Sequence, residues 1–315
     1  MRKLRVLIFI VLLGVLAIFS GKNFFQRAWD GKNRINIVVI TSRVFIFSLD
    51  PSEKRGVILS FPQKTFLEAI HGYGDYSLEA IYKLGEQEGY GGGGFLAESI
   101  QENLGIPIDA YVLISDSELL RGKTELNSKP KDFILRCFKE SLRNGRTNLT
   151  RKDLLLLWFK TRKVRRDKIN LIDLEKIDTT EKITFPDGTE SFKINPQKFK
   201  KIAPEFFKDP KIRQENLEIA VLNSTSYPGL ATRAASLIEN IGGRVVGVGE
   251  FENEKLKMKN EKCQIRSKKE FKKSYTLEKL VKVFGCRWQE ESLGGYRGDL
   301  VLIIGEGYWK KLKEK

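Results

Sequence analysis

The sequence is poor in the residues from which metal and redox sites are usually built. Its 315 residues include three cysteines and one histidine, and no spacing between the cysteines resembles a zinc site. The single histidine, His71, lies beside Gly72. It could serve as a general base, although a surface-loop histidine is the more ordinary interpretation. The chain also lacks an internal repeat and a long low-complexity segment, which excludes solenoid and linker-like architectures.

Acidic side chains are scarce relative to basic ones. The chain has 56 Lys and Arg against 40 Asp and Glu, which gives a net charge of +16 and a pI near 9.6. With 41% hydrophobic and 30% charged residues, the composition is globular and the length suits two domains. Unless the charge only reflects a generally basic proteome, it favours polyanionic partners, namely nucleic acid, anionic lipid headgroups or phosphate-rich polymers.

A long apolar run near the N-terminus narrows this choice. The basic start "MRKLR" precedes "VLIFIVLLGVLAIF", which contains no charge and no proline. The run is about the shortest that spans a bilayer, and no clear small-x-small site follows for cleavage as a signal peptide. We expect an uncleaved signal anchor over residues 1–21 and a juxtamembrane linker over 22–34. The positive-inside rule then predicts a single-pass cell-membrane protein, with a cytoplasmic N-terminus and an extracellular or periplasmic body.

Export of the body would determine which classes of partner the protein meets. We expect no nucleic-acid partner, and instead the membrane together with anionic envelope polymers or lipid-linked phosphates. In an oxidising compartment Cys263 and Cys286, which bracket one helix-like segment, could form a disulfide. Cys137 lies in a helical pattern, where a buried structural thiol is the simplest interpretation.

The periodicity of the body predicts an α/β class. "RINIVVI", "RVFIFSLD" and "GVILSF" indicate three strands, "SLEAIYKLGEQ" and "FLAESIQENLG" two helices, and "IPIDAYVLI" a returning strand. Gly105 is positioned to cap the second helix. Prolines at 204 and 210 in a charged stretch place a domain boundary near 210–217. Beyond it, a strand, an Ala-rich helix, a Gly-Gly stop and a further strand form a βαβ unit.

One strand exit carries unusual side chains. "VILSFPQKTF" (57–66) reads as a buried strand that ends at a proline and is followed by Gln63 and Lys64. Strand exits are where sheets of this kind often hold their chemistry. The exit is therefore an active site, a former active site or an ordinary turn. The glycines of "GYGGGGFLAES" could cradle an anion before a helix, although a flexible loop is the simpler interpretation and no Gly-Lys-Ser/Thr follows.

Several stretches together resemble a known family. "SLDPSEKRGVILSFPQKTF", "GYGDYSLEAIYKLGE", "GGGGFLAESIQENLGIPIDAYVLI" and "FPDGTESFKINPQKF" resemble the LytR-CpsA-Psr family. "EIAVLNSTSYPGLATRAASLIENIGGRVVGVG" and "GDLVLIIGEGY" resemble the LytR C-terminal domain. The resemblance implies an α/β sandwich with a central sheet over residues 35–210 and a small βαβ-type domain over 216–310. It also implies a membrane-anchored phosphotransferase that moves glycopolymers such as teichoic acid or capsule from polyprenyl pyrophosphate to peptidoglycan, with Mg²⁺ as cofactor.

The resemblance is broken at the exit. The family usually has Pro-Arg-Asp-Thr where this chain has "PQKT", and its metal-binding Asp one strand earlier is replaced by Ser42. Both carboxylates that would hold Mg²⁺ are therefore replaced, with Asp75 and Glu79 as the only nearby acids. The candidate catalytic residues are Lys64, Gln63, Ser42 and Arg43. Lys64 either acts as a cation in place of Mg²⁺ or belongs to a decayed site that is now a turn.

The cationic helix motif of the family is partly kept. In "WFKTRKVRR" the candidate phosphate-binding residues are Lys160, Arg162, Arg165 and Arg166, and the alternative is a solvated helix face. The first hypothesis is thus a glycopolymer-transferase relative that binds lipid-linked anionic substrates, with catalysis weak or lost. The second is a non-catalytic envelope module that binds wall polymer or a protein partner through its C-terminal domain. DNA-binding regulation is a third, which an exported body argues against.

Overall fold

The computed structural model describes residues 29–62, 64–114, 126, 129–184, 188, 190–251, 262–291 and 297–314. The chain forms a mixed α/β fold with three sheets, as the periodicity predicts. The first sheet has the order β7-β6-β1-β2-β3-β8. Its strands are β1 (Ile35–Ile40), β2 (Val44–Asp50), β3 (Arg55–Ser60), β6 (Ala110–Leu113), β7 (Arg146–Thr147) and β8 (Ile169–Asp173).

The direction of these strands decides where the chain can present side chains. β2 is antiparallel to both β1 and β3, while β6 is parallel to β1 and β8 is parallel to β3. β1, β3, β6 and β8 therefore all run the same way, and their carboxyl ends share one edge of the sheet. β1 and β2 are buried along their whole length, because each contributes apolar side chains to cores on both faces.

The second sheet combines strands from two separate parts of the chain, and the third sheet is formed by the C-terminal part. The second has the order β5-β4-β10-β9, formed by β4 (Thr65–Ala69), β5 (Gly74–Ser77), β9 (Thr180–Thr184) and β10 (Glu190–Ile194). The third has the order β12-β11-β15-β13-β14, formed by β11 (Glu218–Asn223), β12 (Arg244–Glu250), β13 (Cys263–Ser267), β14 (Arg287–Glu290) and β15 (Leu300–Ile304). The predicted boundary near 210–217 falls between the second and third sheets and stays a prediction.

Helices cover the sheets and connect their strands. In chain order they are α1 (Leu78–Gln87), α2 (Gly92–Leu104), α3 (Pro130–Asn144), α4 (Arg151–Lys163), α5 (Pro196–Phe207), α6 (Pro210–Glu215), α7 (Leu230–Asn240), α8 (Tyr275–Phe284) and α9 (Glu306–Lys313). α2 ends at Gly105 in the left-handed conformation (φ 61°), the predicted cap. β11, α7 and β12 form the predicted βαβ unit, with the two strands parallel.

The third sheet is joined to the rest of the body by buried polar contacts and a shared apolar core. Lys279 Nζ lies 2.7 Å from Asp109 Oδ1, and the Tyr308 hydroxyl donates to Glu102 Oε2 at 2.8 Å. One cluster of buried hydrophobic residues runs from the first sheet through α5 and α7 to β15. These contacts hold the C-terminal region against α2.

The predicted membrane location is corrected at this point. Within the described ranges, no helix is long and apolar enough to cross a membrane. The longest of them, α3, has 15 residues and carries several charges, whereas a span needs roughly 20 apolar residues. The stretch predicted as the anchor (1–21) and the first part of the predicted linker (22–28) lie outside the described residues.

Candidate functional site

A cavity of about 650 Å³ opens at the edge where β1, β3 and β6 end. We call it the exit cavity. Its walls are apolar and are formed by Ile40, Val44, Phe61, Leu78, Leu113 and Ile114. Its rim is polar and includes Ser42, Arg43, Lys64, Glu79, Tyr82 and Lys83. Three of the four predicted catalytic candidates thus line one cavity, and the fourth, Gln63, lies outside the described residues.

Lys64 sits in the short link between β3 and β4, which belong to different sheets. Its backbone is left-handed, with φ of 60°, a conformation that costs a non-glycine residue about 1–2 kcal/mol. Two contacts hold the link: the Thr65 hydroxyl donates to Pro62 O at 2.8 Å, and Phe192 N donates to Lys64 O at 3.3 Å. The side chain of Lys64 is exposed and has no ion pair with any described residue. The link therefore places the charge of Lys64 at the rim of the cavity.

Arg43 reaches the same rim from the tight turn between β1 and β2. Arg43 N donates to the Thr41 hydroxyl at 3.0 Å, and that hydroxyl donates to Arg43 O at 2.8 Å. The turn is fixed by these bonds, whereas the Arg43 side chain is exposed and without an ion pair among the described residues. A guanidinium placed in this way suits a phosphate oxygen.

Helix α1 closes the other side of the cavity. Glu79 Oε1 lies 2.6 Å from Lys83 Nζ in an exposed pair one helical turn apart. Glu86, on the same helix, accepts from Arg146 NH2 at 2.8 Å and from Gly92 N at 2.7 Å. These contacts lower the pKa of Glu86, the Arg146 bond most of all. Glu86 therefore occupies the first N–H of α2, which leaves one N–H fewer for an anion at the glycine-rich stretch.

The residues at the cavity do not fit a magnesium ion. Mg²⁺ prefers several oxygen ligands, usually with one or more carboxylates. Among the described lining residues Glu79 has the single carboxylate, and Lys83 forms an ion pair with it. No group of three or more His, Cys, Asp or Glu able to hold a metal occurs in the part of the chain that the structure describes. Asp75, the other acid considered, pairs with Lys193 at 2.6 Å outside the cavity.

The predicted phosphate-binding cations lie elsewhere. Arg162, Arg165 and Arg166 follow or end α4, just before β8 begins at Ile169. Ile169 pairs with Gly56 near the start of β3, and four further residues at roughly 3.3 Å each separate Gly56 from the exit end of that strand at Ser60. The structure therefore puts these cations and Lys160 at the opposite end of the sheet from Lys64, and their phosphate-binding role stays a prediction.

The contacts of these cations suit a solvated face. Arg165 Nε lies 3.0 Å from Asp167 Oδ1, and Arg166 NH2 lies 3.2 Å from Asp132 Oδ2. Arg162 stacks over the Trp158 ring at 5.2 Å. Spacing along α4 could not reveal this arrangement, because the end of the sheet that a helix reaches depends on strand direction.

The remaining candidates are accounted for by packing. His71 does not line the exit cavity; its Nδ1 lies 3.1 Å from Glu314 O, and its ring stacks on Tyr90 with centroids 4.7 Å apart. Cys263 and Cys286 are joined in a disulfide that ties β13 to the end of α8. Cys137 is a buried free thiol, and burial raises its pKa.

Two rim residues, Tyr82 and Lys83, were not predicted from the sequence. Both lie on α1, and burial raises the pKa of Tyr82. The signal for them was weak, because a Tyr and a Lys on an amphipathic helix are ordinary surface residues. Only the position of α1 across the strand ends brings them to the cavity.

Comparisons with known proteins give low similarities. No family model matches the sequence, and no curated protein matches it. Among solved structures, B. subtilis TagT is 19% identical with a TM-score of 0.41, over 58% of this chain and 93% of that one. B. subtilis TagV is 13% identical with a TM-score of 0.42, over 68% and 99%.

A further match is the LytR-CPS2A-psr family protein YwtF (TagT) with bound octaprenyl pyrophosphate lipid. It is 17% identical with a TM-score of 0.40, over 58% of this chain and 92% of that one. All three TM-scores are below 0.5, so these similarities carry no argument about activity, and the functional interpretation rests on the side chains of this chain.

Proposed function

We propose that the exit cavity binds an amphiphilic phosphate, namely an anionic glycopolymer carried on a polyprenyl pyrophosphate, with catalysis weak or lost. The observation that carries the proposal is that Arg43 and Lys64, two cations that form no ion pair with a described residue, share one cavity with apolar walls. An anion attached to a hydrocarbon chain needs both features. The resemblance of the sequence to the LytR-CpsA-Psr family supports the same substrate class.

Each part of the cavity has a separate task in this proposal. The apolar walls would bury the first isoprenoid units, and each 100 Å² of apolar surface removed from water contributes about 2.5 kcal/mol. Arg43 would bind phosphate oxygens through its planar fork, and Lys64 would add a compact charge. Lys83 would retain Glu79 as its partner and steer the anion from α1.

The proposal includes loss of catalysis because of the oxygen and nitrogen groups that the described residues offer to a metal or a proton. Phosphoryl transfer to a sugar hydroxyl usually relies on a metal held by carboxylates and on a base that takes up the hydroxyl proton. Glu79, the one described lining carboxylate, is engaged by Lys83. We therefore assign Arg43 and Lys64 to binding and charge neutralisation, and no residue to proton transfer.

The test is a titration of the full chain with a short-chain polyprenyl pyrophosphate, with and without Mg²⁺. Binding and phosphate release are both followed. We expect binding without turnover, and we expect Arg43→Gln and Lys64→Ala each to weaken it about tenfold, which corresponds to ~1.4 kcal/mol. Arg165→Gln is the matched control, because its side chain is exposed and pairs with Asp167 away from the cavity.

Two results would count against the proposal. If the lipid failed to bind, the exit would be a structural turn only. If Arg165→Gln weakened binding as much as Arg43→Gln, the effect would be general charge attraction and not a site. Phosphate release that depends on Lys64 would show instead that the site is catalytic in spite of its missing carboxylates.

A second candidate function is a non-catalytic envelope module that acts through the C-terminal region. A cleft of about 650 Å³ between α5 and α7, which we call the α5–α7 cleft, favours it. Its cations are all paired: Lys193 with Asp75, Lys200 with Glu239, and Arg233 with Glu102. With the hydroxyls of Thr232 and Ser236 also lining it, the cleft suits an uncharged, hydroxyl-rich glycan such as the glycan strand of peptidoglycan. Binding of a neutral glycan that Ser236→Ala weakens would favour this candidate.

A further inference from the structure

A small cavity lies at the end of the first sheet that faces away from the exit cavity. It has a volume of about 230 Å³ and is formed between the β2–β3 hairpin and helix α6. The charged residues that line it are Arg55, Lys208, Arg213 and Glu53. Three cations and one acid give this lining an excess of two positive charges. We call it the hairpin cavity.

We infer that the hairpin cavity binds a phosphate-sized dianion, either the free ion or the terminal phosphate of a monoester. Two positive charges in excess match a dianion. The volume is below the roughly 300–1,000 Å³ of cavities that take drug-sized organic ligands, so a single tetrahedral oxyanion suits it better. Guanidinium and ammonium groups are the usual protein ligands of such an ion.

One wall of the cavity is fixed by the start of α6. Asp209 caps this helix: its Oδ1 accepts from Lys211 N at 2.9 Å and its Oδ2 from the Tyr275 hydroxyl at 2.8 Å. Lys208 and Arg213 lie on either side of this cap, and their stems pack over Gly242. A Cβ at Gly242 would lie 2.9 Å from Arg213 Cγ and 3.4 Å from Lys208 Cγ. Neither cation has an ion pair with a described residue, so both are available to a ligand.

The opposite wall is the hairpin. Arg55 Nε lies 2.6 Å from Glu53 Oε2 and 3.8 Å from Oδ2 of the buried Asp50. Asp50 is already neutralised by the buried Arg34, whose NH2 lies 3.0 Å from the same oxygen. Among the described residues that line the cavity, Glu53 is thus the acid set against the three cations. The three cations line one small cavity, so their mutual repulsion is a Coulombic cost that a bound anion would relieve.

The inference is tested by calorimetric titration of the full chain with inorganic phosphate at constant ionic strength, with chloride as the background anion. We expect saturable 1:1 binding, weakened about tenfold by Arg213→Gln and by Lys208→Gln. Lys211→Gln is the matched control. Lys211 is exposed on the same helix but does not line the cavity, and its replacement should leave phosphate affinity unchanged.

Further titrations test the charge of the ligand and locate the site. Glycerol 2-phosphate keeps two negative charges, whereas dimethyl phosphate keeps one, so we expect the first to bind far better than the second. Equal affinity for the two would overturn the inference of a dianion site. So would the absence of phosphate binding, an equal loss in Lys211→Gln, or abolition of phosphate binding by Arg43→Gln, which would assign the ion to the exit cavity.

Discussion

The buried ion pair between Asp109 and Lys279 tests whether the third sheet and the rest of the body unfold together. The two side chains are 7% and 8% exposed, and their charged atoms lie 2.7 Å apart. Asp109 Oδ2 also accepts from Asn36 N at 3.0 Å. The pair therefore connects α8 to the link between α2 and β6, and its loss should be felt on both sides of the junction.

The structure sets different costs for the two single replacements. In Asp109→Asn, Lys279 keeps no carboxylate partner among the described residues, so we expect a loss of about 3–5 kcal/mol of unfolding free energy. In Lys279→Met, Asp109 keeps its bond from Asn36 N and has Lys282 Nζ at 3.8 Å. We expect this change to cost about 2–3 kcal/mol.

The assay is equilibrium unfolding in guanidinium chloride, followed by circular dichroism and by tryptophan fluorescence. In the double variant Asp109→Asn/Lys279→Met we expect clearly less than the sum of the single losses, since no unpaired buried charge remains. Circular dichroism and fluorescence should report the same unfolding transition, and in each variant its midpoint should shift equally by both probes. Single losses below about 1 kcal/mol, strict additivity, or two separate transitions of which one moves would refute the reasoning.

Three further predictions concern other parts of the chain. Lys64→Gly should raise the free energy of unfolding by up to about 1 kcal/mol, because relief of left-handed strain exceeds the entropy cost of glycine. Lys64→Ala should give no such gain. Equal melting temperatures for the two variants would contradict this. Burial raises the pKa of Asp209 above its ordinary value of 3.8, so the folded protein binds the proton of this carboxyl more tightly than the unfolded chain does. The free energy of unfolding should therefore fall as the pH rises from 3.8 through the raised pKa of the folded state. Asp209→Asn, which retains the helix cap, should flatten that pH profile in urea unfolding, and an unchanged profile would assign the pH dependence to other groups. Reduction of the Cys263–Cys286 disulfide, which closes a 23-residue separation, should cost about 3 kcal/mol of unfolding free energy; equal denaturation midpoints with and without reductant would argue against this value.

Local sequence signals were sufficient for most elements. β1, β2 and β3 follow from three runs of β-branched and aromatic residues separated by short polar turns. α2 and its cap follow from apolar spacing together with Gly105, and the βαβ unit from a strand, an Ala-rich helix and a glycine stop. Each of these patterns involves residues only a few positions apart in the chain, so the secondary structure that it specifies can be predicted from the sequence.

The candidate site was only half predictable. Ser42, Arg43 and Lys64 could be assigned to one site because the resemblance to the LytR-CpsA-Psr family aligns them with the site motifs of that family. The cations from Lys160 to Arg166 could not be placed, because their position depends on the parallel pairing of β8 with β3. That pairing joins residues more than 100 positions apart along the chain, and no local pattern encodes it.

Local patterns in the sequence predict the α/β class and most of the strands and helices. The tertiary structure alone decided which charges share a cavity. It gathered Arg43 and Lys64 at one end of the first sheet, and brought Arg55, Lys208 and Arg213 together at the other. It also buried Asp109 against Lys279. The physical reason is that charge–charge and charge–ligand interactions act over a few ångströms of space, whereas a sequence records only separation along the chain.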